Sequence, residues 1–149
     1  YCGDNHSRMY ARLRVVDSTT MDDEPWNQVP TAEDPIEDRV AYGATLARQL
    51  CSSCHKMKAT DVVNTGPSWL GMYSKEGDEY IGRQREVIEA GVTKTITTDD
   101  AYIIESIRNP TAKIVAEEPY RKGAMSKFES LDDGRIACLI AYMKSLADN

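Results

Sequence analysis

The chain has 149 residues, with 24 acidic and 18 basic side chains and a formal net charge of −6. This length suits one domain with a tail. The acidic balance argues against nucleic acid as a partner and favours a basic protein that docks by electrostatic attraction. No apolar run approaches the roughly 18–20 residues that cross a bilayer, and four cysteines at uneven spacing do not make a disulfide scaffold.

The first part of the chain has two sections of different character. The sequence starts at Tyr1 rather than Met and shows no leader, so we expect a processed or excised piece of a longer protein. Residues 9–16 alternate imperfectly and end in β-branched side chains, which predicts a strand with no evident partner. Residues 18–34 are rich in Asp, Glu, Thr and Pro and are typical of an acidic, semi-stiff linker.

A first helix is predicted directly after this linker. Asp34 is expected to cap it, with Pro35 at the first helical position and Glu37 three residues after the cap. Apolar residues at helical spacing then lead to Cys51. Gly43 inside this helix costs roughly 1 kcal/mol relative to Ala, which predicts the close approach of another helix.

Further along, the pattern predicts two more helices and a loop. Residues 77–97 carry charges, glycine and several Thr, Val and Ile, and are predicted to form an irregular loop with weak hairpin character. Thr98 or a neighbour caps a second helix, which Asn109-Pro110 ends. The stretch Ser130-Leu131-Asp132-Asp133 is predicted to be a capping box that opens a terminal helix with an apolar stripe.

The run Cys51-Ser52-Ser53-Cys54-His55 is the decisive feature of the sequence. Two thiols three residues apart can each add to one vinyl group of a haem, and the following imidazole then lies under the iron as a ligand. The pattern therefore predicts one covalent c-type haem held by Cys51 and Cys54, with His55 as an axial ligand.

Two other readings of the cysteine pair are weaker. Zinc would take Cys2, His6, Cys51 and Cys54 as a tetrahedral set, but it gains nothing from the adjacent His55, and its first two ligands lie across a long acidic linker. A thioredoxin-like dithiol needs a βαβ pattern around the cysteines, and the sequence has none.

The haem iron also needs a sixth ligand or an open position, and methionine is the natural candidate. Met57 follows His55 too closely, Met143 keeps step with the apolar stripe of the last helix, and Met9 and Met21 precede the domain. Met72 and Met125 remain. Met125 is favoured because its loop, some seventy residues beyond the cysteines, allows it to reach the opposite haem face.

Residues 36–147 resemble the class I cytochrome c family. The matching pieces are the glycine-containing helix before the cysteines, Thr65-Gly66-Pro67, a methionine loop and the terminal helix ending Ala-Tyr-Met-Lys-Ser-Leu. The resemblance implies a small all-α fold, with the first and last helices crossing near Gly43 and Tyr142. It also implies that the Pro67 carbonyl accepts a hydrogen bond from His55 Nδ1.

Two further expectations concern the surroundings of the haem. Trp69 and Tyr73 are candidates for its pocket, with the indole N–H or the phenol reaching a propionate, although simple core aromatics would give the same sequence pattern. The family usually has proline after the ligand methionine, whereas Ser126 stands there in this chain.

The segment Cys2-Gly3-Asp4-Asn5-His6-Ser7-Arg8-Met9 places a thiol, an imidazole and a thioether at spacings of four and three, ligands that suit copper. It resembles the end of the binuclear copper (CuA) motif of cytochrome c oxidase subunit II, and residues 9–16 resemble the strand that follows. By this resemblance Cys2, His6 and Met9 match the second Cys, the second His and the Met of that site. The remaining ligands would lie upstream, so CuA is expected only in a full-length subunit.

A copper motif, an acidic linker and a cytochrome, in this order, resemble subunit II of caa-type bacterial haem–copper oxidases. The resemblance implies three parts, an incomplete cupredoxin end (1–17), the linker (18–34) and a cytochrome c domain (35–149). It implies electron relay from a donor protein to CuA, with the oxidase catalytic subunit as a partner. It places the domain on the extracytoplasmic (periplasmic) face of a bacterial membrane, anchored only through an upstream part, and it implies that the chain alone is not an enzyme.

Two alternatives stay open. A free-standing periplasmic electron carrier would use the same haem chemistry without the oxidase. A haem peroxidase or gas-binding protein would need an open iron position, which the presence of Met125 argues against.

Overall fold

We describe the fold from a computed structural model, in which residues 28–63, 65–120, 123 and 125–147 are described. This part of the chain contains three helices, α1 (Ile36–Leu50), α2 (Asp100–Arg108) and α3 (Asp133–Ser145). It also contains five strands, β1 (Tyr73–Glu76), β2 (Glu79–Gly82), β3 (Gln84–Glu89), β4 (Val92–Thr97) and β5 (Ile114–Val115). None of these helices is long and apolar enough to cross a bilayer.

The prediction of an all-α fold is wrong. In chain order, the segment between α1 and α3 contains five strands, which form two antiparallel sheets. Strands β1 and β2 form one hairpin, and a second sheet has the order β4-β3-β5. The predicted irregular loop at 77–97 is therefore mostly strand. The hairpin of β3 and β4 closes through Ala90 and Gly91, which both have positive φ, at 50° and 81°. That backbone matches the twist of the strands it joins, so a two-residue turn replaces the expected loop.

Helices α1 and α3 cross where Gly43 faces the backbone of α3. A Cβ added to Gly43 would lie 2.0 Å from the carbonyl oxygen of Cys138 and 3.0 Å from Cβ of Tyr142. Only a residue without a side chain allows this contact, which gives the physical reason for glycine in the middle of α1. Cys138 itself is fully buried, and its thiol donates to the Pro30 carbonyl at 3.5 Å.

The helix starts agree only partly with the sequence-based expectations. Pro35 is the N-cap residue of α1 and makes no side-chain cap bond; the carboxylate of Asp34 instead accepts from Thr31, at 2.6 Å from its N–H and 2.9 Å from its hydroxyl. The predicted cap of α1 is therefore wrong. Asp99 caps α2, beside the expected Thr98, and Asp132 rather than Ser130 caps α3.

The core lies between α3 and the other elements. The predicted apolar stripe of α3 is buried, with Ile136, Leu139 and Met143 at most 3% exposed. These side chains pack with Ile103 and Ile107 of α2. One side of this core opens into a cavity that reaches the end of α1.

Candidate functional site

The cavity has a volume of about 340 Å³ and a mostly apolar wall, within the size range of small-molecule sites. Residues from the end of α1, from α2, α3 and β3, and from the loops all contribute to the wall. Among the residues proposed from the sequence, it brings together Cys51, Cys54, His55, Pro67, Trp69 and Met125. Residues that lie far apart in the chain thus meet around one space.

The two cysteines and the histidine reach the wall through a tight turn at the end of α1. The amides of Cys54 and His55 both donate to the carbonyl of Cys51, at 3.1 and 2.9 Å. Both cysteines are free thiols and partly buried. Burial, reinforced by the nearby Cys54, raises the pKa of Cys51 to about 11, so this group is a neutral thiol at neutral pH. The turn therefore presents two unpaired sulfurs and one imidazole to the same cavity.

His55 is held in one orientation by the loop that follows. Its Nδ1 lies 2.8 Å from the Pro67 carbonyl oxygen; because a carbonyl only accepts, Nδ1 carries the hydrogen and Nε2 keeps a free lone pair. Burial lowers the pKa of His55, despite the opposing effect of the Pro67 hydrogen bond. The lowered pKa favours a neutral imidazole, and the hydrogen bond at Nδ1 leaves Nε2 available as a ligand.

Gly66 makes this arrangement possible. Its amide donates to the Cys54 carbonyl at 2.8 Å, which ties the loop back to the cysteine turn. A Cβ on Gly66 would lie 2.6 Å from Cε1 of His55, so a larger residue would displace the ring. The Thr65-Gly66-Pro67 sequence thus has a structural role as the support of His55, beyond forming a turn.

Three methionines line the cavity, namely Met72, Met125 and Met143. The Met72 amide donates to the Trp69 carbonyl at 3.1 Å, so Met72 belongs to the segment that also holds His55. Met143 is part of the α3 core stripe. Met125 lies in a loop and is only partly buried against the core. Met125 is therefore the thioether least committed to packing.

The two aromatic candidates occupy different environments. Trp69 is 4% exposed, lines the cavity, and its ring centroid lies 5.5 Å from that of His55. Tyr73 does not line the cavity; its hydroxyl donates to Asp100 Oδ1 at 2.8 Å, and burial raises its pKa. We therefore keep Trp69 in the site and leave Tyr73 out.

Sequence reasoning missed several polar wall residues. Arg85 of β3, Thr98 and Tyr102 line the cavity, and Arg85 is only 9% exposed. The signal was present, because Arg85 and Val87 alternate with exposed residues along β3. A charged side chain at an inward position hid that alternation.

Cys2, His6 and Met9 lie outside the described residues, as do the proposed cupredoxin end and most of the acidic linker. Within the described ranges, no group of three or more His, Cys, Asp or Glu side chains is placed to hold a metal ion. The proposed copper and zinc ligand sets are therefore not tested by the geometry.

The wall suits a c-type haem. It combines a largely apolar lining for a flat ring, two free thiols for covalent attachment and an imidazole whose Nε2 is unprotonated. Gly66 leaves the space beside that imidazole clear. These donors match the set expected for one haem bound through two thioethers and an axial histidine.

Comparison with known proteins agrees with this geometry. The family model described as Cytochrome c matches residues 40–147, which is well over half of the chain. A search of curated proteins found no match. The chain belongs to the cytochrome c family, and its domain binds a covalent c-type haem that serves electron transfer.

Proposed function

We propose that this domain transfers single electrons through a haem attached to Cys51 and Cys54, with His55 and Met125 as its two axial ligands. The observation that carries the proposal is the hydrogen bond from His55 Nδ1 to the Pro67 carbonyl, which leaves Nε2 free on a residue that lines the same cavity as both cysteines. When bound, the haem iron takes up and gives back one electron.

The chain's own residues then set the conditions for that exchange. Cys51 and Cys54 fix the group to the end of α1, and Pro67 orients His55 and increases its basicity as a ligand. A methionine opposite a histidine favours a higher reduction potential. The apolar side chains of α2 and α3 keep water away, so little rearrangement accompanies a change of charge.

The identity of the second ligand is tested by replacing each candidate methionine in turn. Met125→Ala should convert the spectra of both oxidation states to those of an iron that lacks a thioether ligand, and should lower the reduction potential. Met72→Ala and Met143→Ala should lower stability but leave the ligation spectra unchanged. Unchanged spectra in Met125→Ala, with changed spectra in Met72→Ala, would overturn the assignment.

We further propose that the domain delivers electrons to the CuA centre of a terminal oxidase, as part of its subunit II. The support is the sequence Cys2-Gly3-Asp4-Asn5-His6-Ser7-Arg8-Met9 and its place before an acidic linker and a cytochrome. The partners would be an electron-donor protein and the oxidase catalytic subunit. The location would be the extracytoplasmic face of a bacterial membrane.

This relay is tested by mixing the reduced protein with an isolated oxidised CuA domain and following both absorption signals in a stopped-flow instrument. The relay is supported if the haem becomes oxidised at the same rate as the copper becomes reduced, and if this rate does not change when a soluble cytochrome is added. A protein that exchanges electrons with soluble redox partners but leaves the copper oxidised would be a free-standing carrier, and the oxidase proposal would fail.

A further inference from the structure

Arg85 places a positive charge in the wall of the haem cavity. The residue lies in β3, pairs across the sheet with Ile96 of β4, and is 9% exposed. Burial, together with the neighbouring Arg83, lowers the pKa of its guanidinium, but an arginine side chain remains protonated in proteins. The cavity wall therefore contains a permanent, nearly buried cation.

This cation has no anionic partner within the described ranges. Its guanidinium makes no side-chain hydrogen bond and no ion pair there, although Glu117 contributes to the local electrostatics. Lys113, which also lines the cavity, differs in this respect, because its ammonium pairs with Glu105 and lies 3.9 Å from Glu89. Since an unpaired buried charge is strongly destabilising, Arg85 requires an anion from elsewhere.

The position of Arg85 is firmly set by the sheet. Strand β3 is paired on both sides, with β4 and with β5. At its start, the buried Thr98 donates to the Arg83 carbonyl from its amide, at 2.9 Å, and from its hydroxyl, at 3.0 Å. Arg85 and His55 both line the cavity, so the cation faces the same space as the imidazole. A rigid strand thus holds the cation close to the site where the haem binds.

We propose that Arg85 binds a carboxylate side chain of the haem, and that the sheet serves to present it. A guanidinium has two parallel N–H donors that match a carboxylate. A c-type haem carries two carboxylates, whereas the described residues that line the cavity include no Asp or Glu. The inference rests on the proposed function and adds a residue that sets the orientation and potential of the group. By this inference, the sheet of β3, β4 and β5 has a function, which is to hold Arg85 at the cavity wall.

Arg85 offsets the negative charge of the carboxylate it binds. Without that offset, the extra negative charge stabilises the oxidised iron more than the reduced iron, so the reduction potential falls. The carboxylate also loses the cation that keeps it ionised, so its pKa rises and the potential becomes dependent on pH over the range where it titrates.

The test compares Arg85→Gln with Arg83→Gln, which removes the same formal charge from an exposed neighbour. The reduction potential of each protein is measured by spectroelectrochemistry at a series of pH values from 4 to 9. Arg85→Gln should show a downward shift larger than that of Arg83→Gln and a new inflection in the pH profile. Arg85→Lys keeps the charge but loses the two-pronged donor set, and should shift the potential less than Arg85→Gln does.

Equal potentials and equal pH profiles in Arg85→Gln and Arg83→Gln would overturn the inference. If Arg85→Gln does not yield folded protein, Arg85→Lys carries the test, and a reduction potential identical to that of the wild type would contradict the proposed two-pronged pairing. Chloride titration of the wild type adds a further arm, because a potential that depends on chloride only when Arg85 is present would identify a diffusible anion as its partner and overturn the carboxylate assignment.

Covalent haem content is measured on the same samples. A wild-type protein without covalent haem would defeat the proposed function itself. Full haem content together with equal reduction potentials in Arg85→Gln and Arg83→Gln would refute the role of Arg85 and leave the proposed function standing.

Discussion

Gly43 and Cys138 bring α1 and α3 together so closely that a Cβ on Gly43 would lie 2.0 Å from the Cys138 carbonyl oxygen. The obstacle is backbone rather than a flexible side chain, so the two helices would have to move apart. Because α1 ends in the cysteine turn, this crossing also sets where the thiols lie relative to α3.

Gly43→Ala should therefore be strongly destabilising, although alanine favours helices. We expect a loss of about 3 kcal/mol in the free energy of unfolding, at the upper end of ordinary overpacking costs. Urea unfolding followed by circular dichroism measures it. Gln49→Ala, an exposed substitution in the same helix, is the control and should change stability by less than about 0.5 kcal/mol. A Gly43→Ala protein as stable as this control would show that the helices do not cross in this way.

Gly66→Ala tests the support of His55. The added Cβ would lie 2.6 Å from the imidazole, so the ring should turn away and its hydrogen bond to Pro67 should lengthen. We expect a loss of about 1–3 kcal/mol in stability and a changed visible spectrum of the ligated iron.

Gly71→Ala is the matched control for Gly66→Ala. Gly71 has a positive φ of 69°, and no atom lies within 4 Å of where a Cβ would be, so alanine there costs roughly 1 kcal/mol of backbone strain without approaching the histidine. Its spectrum should match the wild type. If both variants kept the wild-type spectrum, the steric role of Gly66 would be refuted.

Tyr73→Phe separates a structural tyrosine from a haem-pocket tyrosine. The Tyr73 hydroxyl donates to Asp100, whose other oxygen accepts from Lys144 at 2.6 Å. Losing this hydrogen bond should cost about 1 kcal/mol of stability, measured by thermal unfolding. The haem spectrum and the reduction potential should not change; a shifted potential would instead return Tyr73 to the haem pocket.

Asp61 should contribute to the pH dependence of stability. Its carboxylate accepts from the amides of Met57 and Lys58 at 2.9 and 2.8 Å, and these bonds lower its pKa. A carboxyl whose pKa is lower in the folded state stabilises the fold above its unfolded pKa, and this contribution disappears as the pH falls through the folded pKa. Stability should therefore drop on acidification from pH 6 to below the ordinary pKa of an aspartate, roughly 4.

In Asp61→Asn this part of the acid sensitivity should be absent. Its free energy of unfolding should therefore depend less on pH below about pH 5, the range in which an ordinary aspartate, with a pKa of roughly 4, becomes protonated. Asp78→Asn is the control, because Asp78 is exposed in the turn between β1 and β2 and accepts no hydrogen bond from a residue in the described ranges. Urea titrations at several pH values compare the three proteins. Parallel curves for wild type and Asp61→Asn would contradict the role of Asp61.

The haem motif and the helices at either end were predictable because each has a local signal. The cysteine spacing, the apolar stripe of α3 and the glycine in α1 are read within a few residues. The sheet was missed because its inward positions include a charged residue, Arg85, so the alternation typical of a strand was hidden. The same burial that obscured the strand now gives Arg85 its proposed role.

The aromatic residues show a different limit. Trp69 and Tyr73 lie four residues apart, and nothing in the sequence distinguishes them as pocket residues. Only the turn at residues 69–72 and the start of β1 decide that the indole faces the cavity while the phenol points to Asp100. Such choices depend on tertiary contacts, and a local pattern does not contain them.

The most direct test of the whole account is covalent haem attachment. The protein is produced together with a cytochrome c maturation system, unfolded, and extracted with acidified organic solvent, and the mass of the remaining chain is measured. We predict that one haem stays with the wild-type chain and that none stays when Cys51 and Cys54 are both replaced by alanine. A wild-type chain that loses all its haem to the solvent, or never acquires any, would contradict the central claim.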